Sequence, residues 1–188
     1  PFSYSYGSDM NGDKINGNDL IYVPNSASEI RFQSLSVTNG SVVTVYTEAQ
    51  QQAAYDAYIN QDKYLSTRRG QYAERNGGIL PMLHRLDLSA TQDFYITIAG
   101  KKNSFQFRAD ILNFTNFINR DWVVTQRVTN ANVLNYRTTD VNNVPFYQLA
   151  TQTDAAGNRF LIKDTYQKNA NISDVWQAQF TLRYIFGK

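Results

Sequence analysis

Four side chains near the start of the chain carry oxygen atoms at the spacing of a calcium-binding loop. Asp9, Asn11 and Asp13 stand at positions one, three and five of such a loop, and Asp19 follows at position eleven. Lys14 stands at position six, where an EF-hand loop has glycine, and no glutamate stands at position twelve. Two interpretations remain: a calcium site, or a cluster of turns in which these side chains accept hydrogen bonds from neighbouring backbone N–H groups. The second agrees better with the departures from the loop pattern.

The histidine, cysteine and charged residues of the chain limit the kinds of site that it can form. His84 is the only histidine and the chain has no cysteine, so these residues alone form no multi-histidine metal site, histidine-based catalytic pair or reactive thiolate. We expect His84 to cap a strand near an interface. The 18 basic and 16 acidic residues leave a net charge of +2, which argues against a nucleic-acid partner. The adjacent pair Arg68 and Arg69 is expected to lie in a solvated loop.

Several charged residues in the second half of the chain are of types used in acid–base catalysis. They are Arg85, Asp87, Asp93, Arg108, Asp110 and Arg183. Each of them lies within a pattern of alternating polar and apolar residues, and side chains alternate between the two faces of a strand. On one polar face they can pair across neighbouring strands. We therefore predict a structural role for them, no catalytic residue, no cofactor apart from the calcium alternative, and no enzymatic activity.

The alternation predicts four strands, at about residues 1–6, 84–98, 104–116 and 175–186. The last is the clearest, because every second residue from Trp176 to Phe186 is apolar while Gln177 to Arg183 supply the opposite face. Strands of soluble proteins usually have about five or six residues, whereas longer strands suit a membrane-spanning barrel. The residues that we predict to face lipid are Leu86, Leu88, Phe94, Ile96, Phe105, Phe107, Trp176, Phe180, Leu182, Tyr184 and Phe186. The residues that we predict to face the lumen are Arg85, Asp87, Arg108, Asp110 and Arg183.

Two long polar segments, at about residues 7–83 and 117–174, separate these strands, and residues 100–103 form a tight turn. Short turns on the periplasmic side and long loops on the outer side are typical of outer-membrane barrels. Within the first loop we predict a short strand at 30–37 and a helix at 46–61, where Thr47 and Gln50 have capping-box spacing. Within the second we predict a hairpin of 122–128 with 159–163 and a turn at 156–158. We expect the loop tyrosines to pack the first loop on itself rather than contact a ligand; they are Tyr22, Tyr46, Tyr55, Tyr58, Tyr64 and Tyr72.

These patterns indicate an all-β chain that forms the last strands of a large antiparallel transmembrane barrel, with long extracellular loops and a short helix in one of them. The chain begins inside an alternating pattern, which suggests that residues 1–188 are the C-terminal fragment of a longer polypeptide. An open sheet with one apolar face leaves its edges unpaired, so we expect this fragment to aggregate when expressed alone. The alternative is a soluble secreted β-sandwich module that binds carbohydrate through tyrosines, calcium through the Asp9 loop, or both. Turns every 8 to 12 residues, typical of sandwiches, are not seen.

Five segments resemble TonB-dependent receptors of Bacteroidetes, specifically the Oar-like group that carries a carboxypeptidase-regulatory-like N-terminal domain. Residues 9–24, DMNGDKINGNDLIYVP, resemble a loop of that group. Residues 69–78 and 84–88 (HRLDL) resemble the approach to a late barrel strand, and residues 107–116, FRADILNFTN, its penultimate strand. Residues 180–186, FTLRYIF, resemble its terminal strand.

The resemblance implies a barrel of about 22 strands with a plugged lumen, of which this chain supplies about the last four. It implies a location in the outer membrane of a Gram-negative bacterium and import of a bound ligand, powered by a TonB protein that contacts the plug. The implied partners are outer-membrane lipids, the remaining strands and plug of the same polypeptide, TonB, and the barrel-assembly machinery. The class of ligand stays open at this stage.

Overall fold

The computed structural model describes residues 1–186 and divides the chain into two compact units. Unit 1 comprises Pro1–Leu80 with Arg127–Gln167, and unit 2 comprises Pro81–Gln126 with the chain from Lys168 onward. The structure is mostly β-strand with few helices, so the all-β prediction is confirmed. The strands are, in chain order, β1 (Ser5–Tyr6), β2 (Tyr22–Val23), β3 (Arg31–Phe32), β4 (Leu35–Asn39), β5 (Val42–Tyr46), β6 (Gln71–Tyr72), β7 (Leu88–Ile98), β8 (Lys101–Leu112), β9 (Gln126–Val128), β10 (Asn132–Thr139), β11 (Pro145–Leu149), β12 (Thr151–Thr153), β13 (Arg159–Leu161), β14 (Tyr166–Lys168) and β15 (Gln177–Ile185).

The helices are few and short. They are α1 (Glu48–Gln61), α2 (Phe114–Ile118) and single 3₁₀ turns at Ala27–Glu29, Leu65–Thr67 and Ile172–Asp174. Among residues 1–186, no helix combines the length and the apolar character that a membrane crossing requires.

Unit 2 is built on one antiparallel sheet of three long strands in the order β15-β8-β7. A two-residue turn at Ala99 and Gly100 joins β7 to β8, and both residues have positive φ, which matches the right-handed twist of a hairpin. The turn predicted at 100–103 is therefore shorter than expected, since Lys101–Leu112 already belongs to β8. The strand ends at Leu112 because Asn113 adopts the left-handed conformation that begins α2.

Unit 1 has its own core, although most of it was predicted to be loop. Its largest sheet has the order β1-β10-β11-β3, with a central antiparallel hairpin flanked by parallel neighbours. The smaller pairs are β2 with β6, β4 with β5, and β12 with β13. The largest side chains that are fully buried in this unit are Tyr4, Ile21, Tyr55, Tyr58, Ile59, Leu65, Leu134, Leu149 and Ile162. These long polar segments thus bury enough apolar surface to fold as a compact unit.

The beginning of the chain departs from the prediction. Residues 1–6 do not form one continuous strand: β1 covers only Ser5–Tyr6 and pairs in parallel with β10. Tyr4 is fully buried and Tyr6 is 8% exposed, so this segment belongs to the core of unit 1. A polar–aromatic alternation marks one buried face, but it does not identify the strand that will cover that face.

The predicted hairpin of 122–128 with 159–163 is also wrong. Strand β13 pairs with β12, and β9 pairs with β14. The β10–β11 hairpin was not predicted at all, because neither β10 (NVLNYRTT) nor β11 (PFYQL) shows a clear apolar alternation. The turn predicted at 156–158 is confirmed, with Gly157 at φ +89°.

The predicted helix is confirmed, together with its cap. The hydroxyl of Thr47 accepts a hydrogen bond from the Gln50 N–H at 3.3 Å, and the Gln50 side chain accepts one from the Thr47 N–H at 2.9 Å. This reciprocal pair fixes the start of α1 at Glu48. The buried residues Tyr55, Tyr58 and Ile59 place one side of α1 in the core, so two of the loop tyrosines pack within the loop as expected.

Candidate functional site

Most of the residues predicted to face lipid share one face of the unit 2 sheet. The cross-strand rows on that face are Phe94, Phe105 and Tyr184; Gln92, Phe107 and Leu182; Ala90, Ala109 and Phe180; and Leu88, Ile111 and Ala178. Ile96 lies on the same face opposite Asn103. Leu86, Trp176 and Phe186 lie just beyond the strand ends. The register therefore turns three separate sequence patterns into one apolar surface.

Aromatic side chains on this surface contact each other across neighbouring strands. The rings of Phe107 and Phe180 stack with centroids 6.1 Å apart, and those of Phe105 and Tyr184 lie 4.5 Å apart. The face is nevertheless open, since Phe180 is 67% exposed and Leu182 is 70% exposed. Contiguous apolar surface of this kind marks a region that binds a protein or a membrane.

The opposite face carries the predicted lumen-facing charges. The Arg108 guanidinium donates to both carboxylate oxygens of Asp110, with Nε–Oδ2 at 2.8 Å and Nη2–Oδ1 at 2.9 Å. Gln106 lies between Asp93 and Arg183 in the register and donates to the Asp93 carboxylate at 3.0 Å. Arg108 and Asp110 thus pair within β8, two residues apart, and the hydrogen bond that crosses between strands on this face is the one from Gln106 to Asp93.

The other predicted lumen-facing pair stands before the first residue of β7. The Arg85 guanidinium donates to the Asp87 carboxylate at 2.9 Å. The same Asp87 oxygen accepts the N–H of Asn113 at 2.7 Å, so it also joins the start of β7 to the end of β8. The side chains of Arg85 and Asp87 thus both form hydrogen bonds at the strand ends. His84 lies further upstream, and its carbonyl accepts a hydrogen bond from the Thr115 hydroxyl.

A buried polar cluster, which sequence reasoning missed, organises the same end of the sheet. The Asn113 side chain is fully buried and donates to the Asp174 carbonyl at 2.7 Å. The Asp174 carboxylate accepts hydrogen bonds from the Thr125 hydroxyl at 2.7 Å and from the Asn171 N–H at 2.8 Å. The hydrogen bond from Thr125, followed by the one from the Asn171 backbone, lowers the pKa of Asp174. Single polar residues in an Asn-rich segment give no periodic signal that would have revealed this cluster.

The calcium candidates form a cluster of Asx turns. Asp9 accepts the N–H groups of Gly12 and Lys14, each at 2.7 Å. In the same way Asn11 accepts the Asp13 N–H, Asp13 accepts the Ile15 N–H, and Asp19 accepts the Met10 N–H. The side-chain hydrogen bond from Asn18 is the first cause of a lowered Asp13 pKa. Across residues 1–186, no group of three or more acidic or histidine side chains is placed to hold a metal ion.

The basic pair in the first long segment is only partly solvated, since the side chains of Arg68 and Arg69 are each 23% exposed. Arg69 donates to the carbonyls of Pro24 and Asn25 and to the Asp56 carboxylate, the last at 2.8 Å. Arg68 pairs with Glu74 at 3.0 Å. Arg69 therefore fastens the segment after α1 to the helix and to the chain before it, whereas Arg68 makes its contacts within that segment.

An open cleft of about 560 Å³ lies beside the Asx-turn cluster in unit 1. The residues that line it are Tyr6, Met10, Asn11, Asn18, Asp19, Leu20, Tyr72, Arg75 and Tyr147. Tyr72, at 64% exposed, is the loop tyrosine that presents its ring here, and it packs edge-on against Tyr22 with centroids 5.4 Å apart. A cleft with an aromatic surface and a few convergent polar groups has the composition of a small-ligand site.

Comparisons with known proteins do not identify a family for this chain. No protein-family model, curated protein or solved structure matches the chain. What the chain does is therefore argued from its residues and their arrangement.

Proposed function

We propose that this chain supplies part of the wall and the extracellular loops of an outer-membrane transporter of the TonB-dependent type. The observation that carries the proposal is the register of β7, β8 and β15. It combines an exposed apolar face with an opposite polar face that carries the Arg108–Asp110 ion pair. That division matches a barrel wall, in which alternate residues face lipid and lumen.

The strand lengths support this location. Strand β7 has 11 residues and β8 has 12. At about 3.3 Å per residue and a tilt of about 40°, the shorter of these two strands rises about 28 Å, and an outer-membrane barrel needs an apolar band about 25 Å tall. The long connections before β7 and after β8 leave the sheet at the end opposite the two-residue turn, as outer loops do.

The unpaired edges of the unit 2 sheet also support a place in a barrel. Within the described residues, β7 and β15 have a neighbour on one side only. Free edges of this length are prone to aggregate in water and are not tolerated in lipid, so they need further strands. In the proposed protein, those strands come from the remainder of a barrel of about 22 strands. The exposed apolar face also favours the barrel over the β-sandwich alternative, in which a second sheet covers that face.

The proposed function is import of a ligand across the outer membrane. In the proposed protein, the charged face that includes Arg108 and Asp110 lines the lumen and faces a plug, and the long polar segments are extracellular loops. The plug would contact TonB, and the barrel-assembly machinery would insert the strands.

Site-directed spin labelling tests the membrane location directly. The chain contains no cysteine, so single cysteines can be placed at Phe180, Thr181, Leu182 and Arg183 without removing a native one. In the whole protein reconstituted in lipid vesicles, we expect labels at 180 and 182 to collide mainly with oxygen, which concentrates in the bilayer. Labels at 181 and 183 should collide mainly with a water-soluble nickel complex. Equal accessibility of all four positions, or the inverse pattern, would contradict the proposal.

A further inference from the structure

The cleft in unit 1 combines an aromatic wall with hydrogen-bonding groups. The rings of Tyr6 and Tyr147 stack with centroids 5.4 Å apart and are largely buried, so they form part of the lining beneath the exposed Tyr72. Met10 and Leu20 add apolar surface. Tyrosine combines a flat apolar ring with a hydroxyl that both donates and accepts, which suits ligands that are apolar on one face and polar at the edges.

Polar groups converge on the same space from the Asx-turn cluster. Asn11, Asn18 and Asp19 reach it from that loop, and the turns described above hold the loop rigid. The Asn18 amide nitrogen is committed to Asp13 at 2.8 Å. Its Oδ1 atom is buried and has no hydrogen-bond partner within residues 1–186, an arrangement that costs free energy.

The charges that line the cleft are balanced. Asp19 contributes one carboxylate and Arg75 one guanidinium. In the part of the chain that the structure describes, Arg75 forms no ion pair. An anionic ligand would meet Asp19 and a cationic ligand would meet Arg75, so the lining favours a molecule without net charge. Planar amide, carboxylate and guanidinium groups can each bind two adjacent hydroxyls.

We propose that this cleft binds a neutral saccharide. A pyranose ring has an apolar C–H face that can lie on the Tyr72 ring, and its hydroxyls can bond to Asn11, Asp19 and Arg75. The cleft volume of about 560 Å³ is within the usual range for small-ligand sites, roughly 300 to 1,000 Å³. The proposal concerns the cleft alone and holds whether or not the sheet of unit 2 lies in a membrane.

Saturation-transfer NMR on the whole protein in detergent micelles tests the proposal. The probes are the methyl glycosides of glucose, galactose, mannose and N-acetylglucosamine, with glycylglycine as a zwitterion and methyl phosphate as an anion. We expect transfer to at least one glycoside, strongest at the ring C–H protons, and little to glycylglycine or methyl phosphate. Transfer to glycylglycine or methyl phosphate alone, or to no probe at millimolar concentration, would overturn the proposal.

Variants of Tyr72 link the binding to the cleft. Tyr72→Ala should weaken glycoside binding by about tenfold or more, because it removes the stacking surface, whereas Tyr72→Trp should retain it. Arg75→Gln should weaken binding by a smaller factor. Tyr95→Ala is the matched control, since Tyr95 is similarly exposed at 61% but lies in the sheet of unit 2. Equal binding by Tyr72→Ala and Tyr95→Ala, with both folds intact by circular dichroism, would show that the glycoside binds elsewhere.

Discussion

The hydroxyl of Tyr4 donates a hydrogen bond to the buried carboxylate of Asp62, across 58 residues of sequence. The same carboxylate accepts the Thr165 hydroxyl at 2.6 Å, and its other oxygen accepts the N–H groups of Tyr64 and Leu65 at 2.9 and 2.7 Å. Asp62 follows the last residue of α1, so one side chain joins the helix end to the beginning and the late part of unit 1. A carboxylate buried this deeply is tolerated because its oxygens are satisfied by several donors.

Removing the Tyr4 hydroxyl should therefore destabilise unit 1. We expect Tyr4→Phe to lower the free energy of unfolding by about 1.5 to 3 kcal/mol, the usual range for a buried hydrogen bond to a charged group. Tyr55→Phe is the matched control, since Tyr55 is equally buried while its hydroxyl has no hydrogen-bond partner in residues 1–186. That substitution should be neutral or stabilising. Urea unfolding of the whole protein compares the two variants, and an equal loss in both would contradict the role of Asp62.

The buried amide of Gln51 is expected to hold α1 against the hairpin of β10 and β11. Its Nε2 donates to the Gln33 carbonyl at 2.8 Å, and its Oε1 accepts the Leu149 N–H at 3.0 Å. Gln51→Leu would leave the Leu149 N–H buried and unpaired, at a cost of about 1 to 3 kcal/mol. Hydrogen exchange at the Leu149 amide should accelerate markedly. Gln50→Leu is a useful comparison: it weakens the helix cap but should leave exchange at Leu149 nearly unchanged.

Unit 1 should lose stability in strongly alkaline solution. Burial is the first cause of a raised pKa at four tyrosines of this unit. It raises the pKa of Tyr58 to about 12, and it also raises the pKa of Tyr4, Tyr55 and Tyr147. A folded-state pKa above the unfolded value of about 10 means that stability is fully present below pH 10 and is lost as pH rises toward 12. For Tyr58 alone, this linkage amounts to about 3 kcal/mol across that interval.

Absorbance of tyrosinate and circular dichroism, followed together from pH 9 to 12, check this expectation. The buried tyrosines should ionise together with loss of structure rather than before it. Tyr58→Phe removes one of the linked groups, so its stability relative to the native chain should improve as pH rises from 10 to 12. Ionisation of all 13 tyrosines near pH 10 with the fold intact would contradict the burial described here.

The two faces of β15 should tolerate charge very differently if the sheet lies in the outer membrane. Leu182→Arg places a guanidinium on the apolar face, where a basic residue near the bilayer centre costs about 2 to 4 kcal/mol. Thr181→Arg places the same group on the polar face and should cost little. The measurement is the fraction of whole protein assembled in the outer membrane, together with its resistance to urea in lipid vesicles. Equal assembly of both variants would count against a lipid-facing sheet.

The sequence by itself determined features that depend on residues close together along the chain. Period-two alternation placed Phe180 and Leu182 on one face and Thr181 on the other, because successive side chains of a strand point in opposite directions. Thr47 and Gln50 marked the start of α1, because a capping box closes within one turn. Register then aligned β7, β8 and β15 as their patterns required.

Only the tertiary structure decided which distant segments meet. Nothing local in residues 1–6 indicates that Tyr4 will bind Asp62 or that β1 will pair with β10, and the strand predicted there was therefore assigned the wrong surroundings. Likewise, the cleft between Tyr72, Arg75 and the Asp19 loop is formed by residues that are more than 50 positions apart. The physical reason is that alternation specifies only which side of a segment is buried. The partner that buries it is selected by packing and hydrogen bonding across the whole folded unit.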